Sequence, residues 1–408
     1  MSIKRNDSVL FSNEIRIIRE KLQENTTFRY DMDWQHNNTI GWSNNTVDAK
    51  GLTIWNYIID NEETLVLEFL LRNTILDPNQ NNTHTLYENG TFTTPLNAAA
   101  RGGHQRIASL LCEYAKRDKK DNNGKTPLIC AIQCETSHLF AMELLLSDKV
   151  NVNKKDTDGM TPLHHAVKCS RLEIMNSLTQ NFNILLNEKN NRGDTPLHIA
   201  AATRSSVSRQ GAALLLAAGA HIDKRGKYGK TPLHEAIING NEEIAELLIE
   251  HKANVNTIMI DIYGDYYTQT PLHSAVLQQQ VKTVDLLLRN FADSNKKINI
   301  GNMDRTPLDA LLYFNGFGTD NILFIAQRLL DCNCDISFLT VDRLRHMMDE
   351  YQNIFKNHYV RLIKSTPYLK QKLPNEIHTM IIAQIIPMDI YKYLNIQKAL
   401  ESDAANDL

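Results

Sequence analysis

Four histidines recur at near-even spacing in the 408-residue chain, at His164, His198, His234 and His273. Imidazoles in such number could ligate a metal or move protons, but either role needs them to converge with carboxylates or a nucleophile. Intervals of 34, 36 and 39 residues place each in a separate structural layer instead. Each is expected to hydrogen-bond within its own turn. Two stretches, Gly124-Lys125-Thr126 and Gly226 to Thr231, end like a phosphate-binding loop. That loop needs a glycine five residues before its final glycine, and Lys119 and Lys224 stand there. Among six cysteines, Cys130-x3-Cys134 and Cys332-x-Cys334 lack the paired knuckles of a zinc site. They read as reduced thiols in a cytosolic, reducing compartment. Adjacent carboxylates such as Glu242 and Glu243 fall on exposed helix positions. No catalytic, cofactor-binding or metal-ligating set is expected, and the chain does not read as an enzyme.

The histidines belong to a longer repeating unit. A Thr-Pro-Leu tripeptide starts at Thr94, Thr126, Thr161, Thr195, Thr231, Thr270 and Thr306, with intervals of 32, 35, 34, 36, 39 and 36 residues. Threonine suits a helix N-cap and proline the first helical position, where a missing N–H costs nothing. A small residue follows five positions after the threonine, at Ala99, Ala131, Ala166, Ala200, Ala236 and Ala275, so neighbouring helices can approach closely. A second helix carries leucine triplets, Leu144 to Leu146, Leu214 to Leu216 and Leu286 to Leu288, read as its buried face. Asn or Gly then breaks it.

Composition narrows the functional classes. Hydrophobic residues make up 42% and charged residues 22%, which is globular rather than disordered. Net charge is −3, and no basic stripe of the nucleic-acid-binding kind stands out; Lys116 to Lys120 reads as a solvated helix end. No apolar run reaches the ~18 residues of a membrane span, and Met1 to Ser8 lacks a signal-peptide core. Neither nucleic acid nor membrane insertion is expected. Abundant Asn, Ile and Lys with only 17 Gly point to an AT-rich genome, of a parasite, bacterium or virus.

The unit resembles the ankyrin repeat, and 226–256 fits that family nearly position by position. The resemblance covers roughly 50–336, as seven or eight repeats, the eighth being a decayed unit that starts at Gly51 and has Leu65 to Leu71 as its outer helix. Asn97 and Ile129 stand where the family usually has His, and Asp309 and Leu311 depart from it in the last unit. The implied fold is an all-α ankyrin solenoid of helix–turn–helix units with hairpin or loop tips. In this family the tips and the inner-helix face commonly make contacts. By alignment, tip positions include Lys227, Tyr228, Tyr266, Tyr267, Asn302 and Met303, with Thr157, Asp158 and Arg192. Inner-helix positions include Lys168 and Gln278, with Gln133, Ile238 and Tyr313. The longer, tyrosine-rich connection from Ile258 to Tyr267 suits a binding anchor. Packing of its side chains on the adjacent finger is an equal alternative.

Two flanks lie outside the repeat. Residues 1–49 read as a capping or binding segment, with Ile15, Ile18 and Leu22 on one helical face and Trp34 and Trp42 following. Residues 337–408 read as a helical region carrying a distinct motif at 373–394. There Leu373 and Pro374 precede Glu376, and Ile377, Ile381, Ile382 and Ile385 recur along one helix before Pro387 ends it. The motif resembles the F-box, and more narrowly the truncated F-box, or PRANC, that ends many poxvirus ankyrin proteins; related effectors occur in intracellular bacteria such as Rickettsiales. That resemblance implies that Leu373, Pro374, Glu376, Ile377, Ile381, Ile382 and Ile385 dock a host Skp-type adaptor of a cullin-RING ubiquitin ligase. The repeats would hold a target protein of unknown identity, in the host cytoplasm. The competing expectation is a pure scaffold whose last helices only cap the array.

Overall fold

The computed structural model describes residues 54–72, 76–79, 93–260, 268–300, 303–314, 320–332 and 334. The chain divides into two compact units, Met1–Lys227 and Tyr228–Leu408. In the first, helices come in pairs: α1 (Ile54–Asp60) with α2 (Thr64–Arg72), α3 (Pro95–Gly102) with α4 (Gln105–Tyr114), α5 (Pro127–Gln133) with α6 (His138–Leu145). Then follow α7 (Pro162–Lys168) with α8 (Leu172–Thr179) and α9 (Pro196–Ala202) with α10 (Ser208–Ala217). First helices pack on first helices along α1, α3, α5, α7 and α9, and second helices on second helices along α2, α4, α6, α8 and α10. In the second unit α11 (Pro232–Ile238), α13 (Pro271–Leu277) and α15 (Pro307–Phe314) form the inner row. Their outer partners are α12 (Glu242–Glu250), α14 (Val281–Arg289) and α16 (Asp320–Asp331).

The local signals act as their chemistry dictates. From Thr94 to Thr270 each Thr-Pro-Leu threonine sits in extended backbone just before an inner helix, and the proline opens that helix. Thr94 Oγ1 accepts from the Asn97 amide at 3.2 Å, and Thr306 Oγ1 from the Asp309 amide at 3.2 Å. The repeat alanines are sealed: Ala99, Ala131, Ala166, Ala236 and Ala275 are fully buried, and Ala200 nearly so. Leu96, Leu128, Leu163, Leu197, Leu233, Leu272 and Leu308, one per repeat, form the floor of the core.

The leucine triplets do not form a fully buried face. Leu144, Leu215 and Leu287 are buried, but Leu146 is 84% exposed. Three consecutive helical residues fan over some 200°, so one buried stripe cannot hold them all. Strand structure among the described residues is confined to two short antiparallel pairs in the second unit. β1 (Met259–Ile260) pairs with β2 (Thr268–Gln269), and β3 (Ile298–Ile300) with β4 (Met303–Arg305). No described helix is long and apolar enough to cross a membrane.

Candidate protein-binding surface

In the first unit three tips are each a turn built around one side chain. Asp121 Oδ1 accepts from the Asn123 and Lys125 amides at 2.9 and 2.8 Å. Asp156 Oδ1 does the same for Asp158 and Met160, and Asn190 Oδ1 for Arg192 and Asp194. Successive tips are tied by backbone bonds, Thr157 N–H to the Asn123 carbonyl and Asn191 N–H to the Asp158 carbonyl. Gly159, at φ 74°, shows why the turn needs glycine: a Cβ there would stand 2.5 Å from Asn191 Oδ1 and 2.8 Å from its amide nitrogen. The described tips are therefore held in place by their own hydrogen bonds.

The histidines bond in their own turn, and His164 and His273 also join layers. His164 Nδ1 accepts from the Thr161 amide at 3.1 Å and lies 2.8 Å from its hydroxyl. Its Nε2–H then donates to the Asp194 carbonyl, 30 residues ahead, at 3.1 Å. His273 makes the matching bonds to Thr270 and to the Arg305 carbonyl. Both rings are neutral Nε2–H tautomers, because Nδ1 of His164 takes a backbone proton and the threonine hydroxyl faces Nδ1 of each. Burial drives the His164 imidazole down to about 4 and His273 to about 3, against the partial help of their carbonyl bonds. Asn97 replaces histidine in its repeat and still makes the interlayer bond, its Nδ2 donating to the Lys125 carbonyl at 2.8 Å.

A polar chain runs behind the tips of Asp121 and Asp156. Lys125 Nζ donates to Gln133 Oε1 at 2.9 Å, and Gln133 Nε2 to His165 Nδ1 at 3.1 Å. His165 Nε2–H meets Asp156 Oδ2 at 2.8 Å, both side chains buried. Burial would raise the Asp156 carboxyl, but hydrogen bonds from His165 and the Met160 and Asp158 amides hold it below its usual value. Sequence reading missed this chain, although a carboxylate five residues before Thr161 and a second histidine after it were the available signal. The preceding repeat uses Arg101, 2.8 Å from buried Asp121, and its guanidinium also touches the Cys130 sulfur. All described cysteines are free, and burial raises the Cys112 thiol to about 12 and Cys130 to about 11. Among the described residues, no cluster of three or more His, Cys, Asp or Glu could hold a metal ion.

The expected contact residues divide. Lys168, Thr157, Asp158, Arg192 and Lys227 are exposed, and Tyr228 is half-buried on the turn Lys227–Gly229. Gln278 is exposed, yet its amide already donates to the Ile238 carbonyl at 3.2 Å. Gln133, expected as a contact, is held within the polar chain. Met303 opens β4, its backbone paired with Ile300. Tyr266, Tyr267 and Asn302 lie outside the described residues, as do Leu373, Pro374, Glu376, Ile377, Ile381, Ile382 and Ile385.

The family profile for ankyrin repeats matches three times, over residues 55–156, 137–226 and 207–299. The chain is an ankyrin-repeat protein. It is 33% identical over 145 residues to the putative ankyrin repeat protein YahD of Escherichia coli, covering 35% of this chain and 71% of that one. It is also similar, at 31% over 129 residues, to the human transient receptor potential cation channel subfamily A member 1. That match covers 32% of this chain but only 11% of the human protein's length. The chicken nuclear factor NF-kappa-B p105 subunit matches at 33% over 81 residues, 20% of this chain and 8% of that subunit. Ankyrin repeats mark the protein as a protein–protein interaction scaffold.

Proposed function

We propose that this ankyrin protein is a non-enzymatic adaptor that holds a target protein on its repeats and recruits a host cullin-RING ubiquitin ligase. Recruitment runs through the F-box-like segment at 373–394, whose Leu373, Pro374 and isoleucine stripe would dock a Skp-type adaptor. The gain is proximity: a target held beside the ligase meets it at a raised effective concentration. An intracellular pathogen would use such a protein in the cytoplasm of its host.

The observation that carries the target-binding half is Tyr228. It is held at φ 59°, in the left-handed region, immediately before Gly229 at φ 69°. That backbone costs a non-glycine residue about 1–2 kcal/mol, and such strain concentrates at binding positions. Alignment alone also places this tyrosine at a tip. Lys227, the residue before it, is an exposed cation. The second reading is a scaffold that sequesters a host factor, with the last helices as a cap. Calorimetric titration of the full chain with purified Skp adaptor separates the two. Micromolar binding is expected, and absence of heat at that concentration overturns the ligase reading in favour of the scaffold.

A further inference from the structure

Six residues before Thr126, Thr161, Thr195 and Thr231 stand Lys120, Lys155, Lys189 and Arg225. The position before each holds Lys119, Lys154, Glu188 and Lys224. The register is confined to these four consecutive repeats: Glu88, Gly264 and Ile300 occupy it before Thr94, Thr270 and Thr306. The first unit stacks these cations into one column. Lys120 Nζ donates to the Lys155 carbonyl at 2.6 Å, and Lys155 Nζ to the Lys189 carbonyl at 2.9 Å. Each ammonium has three N–H groups, so one carbonyl bond leaves donors for a ligand. Asp118 lies 3.6 Å from Lys154 and Glu188 2.7 Å from Lys155. With Asp223, these are three carboxylates against seven cations, in a chain whose overall charge is −3.

We infer that this column binds an extended acidic protein segment carrying a carboxylate at every third residue. Packed helices lie about 8–10 Å apart, so cation rungs recur at about that interval. A segment in the polyproline II form advances about 3.1 Å per residue with three residues per turn, so its side chains three apart lie on one face about 9 Å apart and meet successive rungs. The neighbouring surface favours a peptide over a nucleic acid. Phe182 is 94% and Leu185 50% exposed, and the Leu185 amide donates to Asn153, the residue before Lys154. Apolar knobs beside a cation column suit a segment that mixes acidic and apolar side chains. The inference rests on the target-binding reading above and names the chemistry of the segment that is held.

The test uses the full chain and two labelled peptides of identical composition, one with glutamate at every third position and one with its glutamates clustered. Fluorescence anisotropy is expected to show tighter binding of the periodic peptide, weakening as salt is raised. Lys189→Glu with Lys224→Glu removes none of the carbonyl bonds made by Lys119, Lys120, Lys154 and Lys155 and should weaken that binding about tenfold or more, with an unchanged circular dichroism spectrum. Equal binding of both peptides, no salt dependence, or an unaffected double variant overturns the inference. So does an oligothymidylate that binds as tightly as the periodic peptide. Because the Skp titration reads 373–394 and this one reads 119–225, either result can fail without the other.

Discussion

His164 and His273 combine three constraints in one ring: a cap for the local threonine, a bond to the next layer, and no charge. With folded-state values near 4 and 3, they bind fewer protons than the unfolded chain, whose histidines titrate near 6.5. Stability is therefore full above about pH 6.5 and falls as pH drops towards the folded values. Denaturant titrations between pH 7 and 4.5 should show a decline to which each ring contributes about 1.4 kcal/mol per pH unit. His164→Asn should flatten that decline, because Asn97 already makes the equivalent interlayer bond without a titrating group. An unchanged slope would mean that the imidazole is not buried as a neutral donor. Backbone strain is the second lever at this scale. Ser170 (φ 57°) and Gln279 (φ 55°) occupy the left-handed position that Gly103 (φ 81°) and Gly240 (φ 63°) fill in sister repeats. Either residue changed to glycine should gain about 0.5–1 kcal/mol by chemical denaturation; a loss would show that its side-chain bonds matter more.

At the scale of the helix pair, the decisive contact is the alanine between inner helices. Ala236 is fully buried in α11, which packs against both α12 and α13. Ala236→Leu inserts three carbons with nowhere to go and should cost about 1–3 kcal/mol. Glu242 stands exposed in the first turn of α12, loosely facing Lys282 at 3.8 Å, and Glu242→Gln should stay within about 0.5 kcal/mol. Equal losses in urea titrations would contradict the assignment of the faces. These elements were legible because their signals are local: a threonine cap, a proline and a small residue act within one turn. The Nε2 bond of His164 was not, because its acceptor lies 30 residues ahead and is defined only once layers stack. The Asp156–His165 pair was hidden for a similar reason, since the tip folds back over the helix to bring the two side chains together. The leucine triplets misled because composition alone cannot say which of three neighbours faces inward.

For the whole molecule, the sequence carried the fold and left the partners open. Repetition at 32–39 residues points to stacked ankyrin units, and the family match over 55–299 agrees. Contact residues are harder to read, because a tip or inner-helix position predicts exposure but not what its side chain already holds. Gln133 and Gln278 illustrate this: both sit where contacts are common, and both amides are engaged within the chain. The proposed adaptor depends on whether 373–394 presents its apolar stripe to a Skp-type protein or covers the last repeat. Exposed aliphatic stripes generally await a partner, whereas a terminal cap shields the repeat beneath it.

The measurement that separates these is made on the Leu373→Ala, Pro374→Ala double variant, comparing Skp-adaptor affinity and melting temperature with the unaltered chain. The adaptor account predicts that binding is abolished while the melting temperature stays nearly unchanged. Unaltered behaviour towards the adaptor, together with a melting temperature lowered by several degrees, would contradict it.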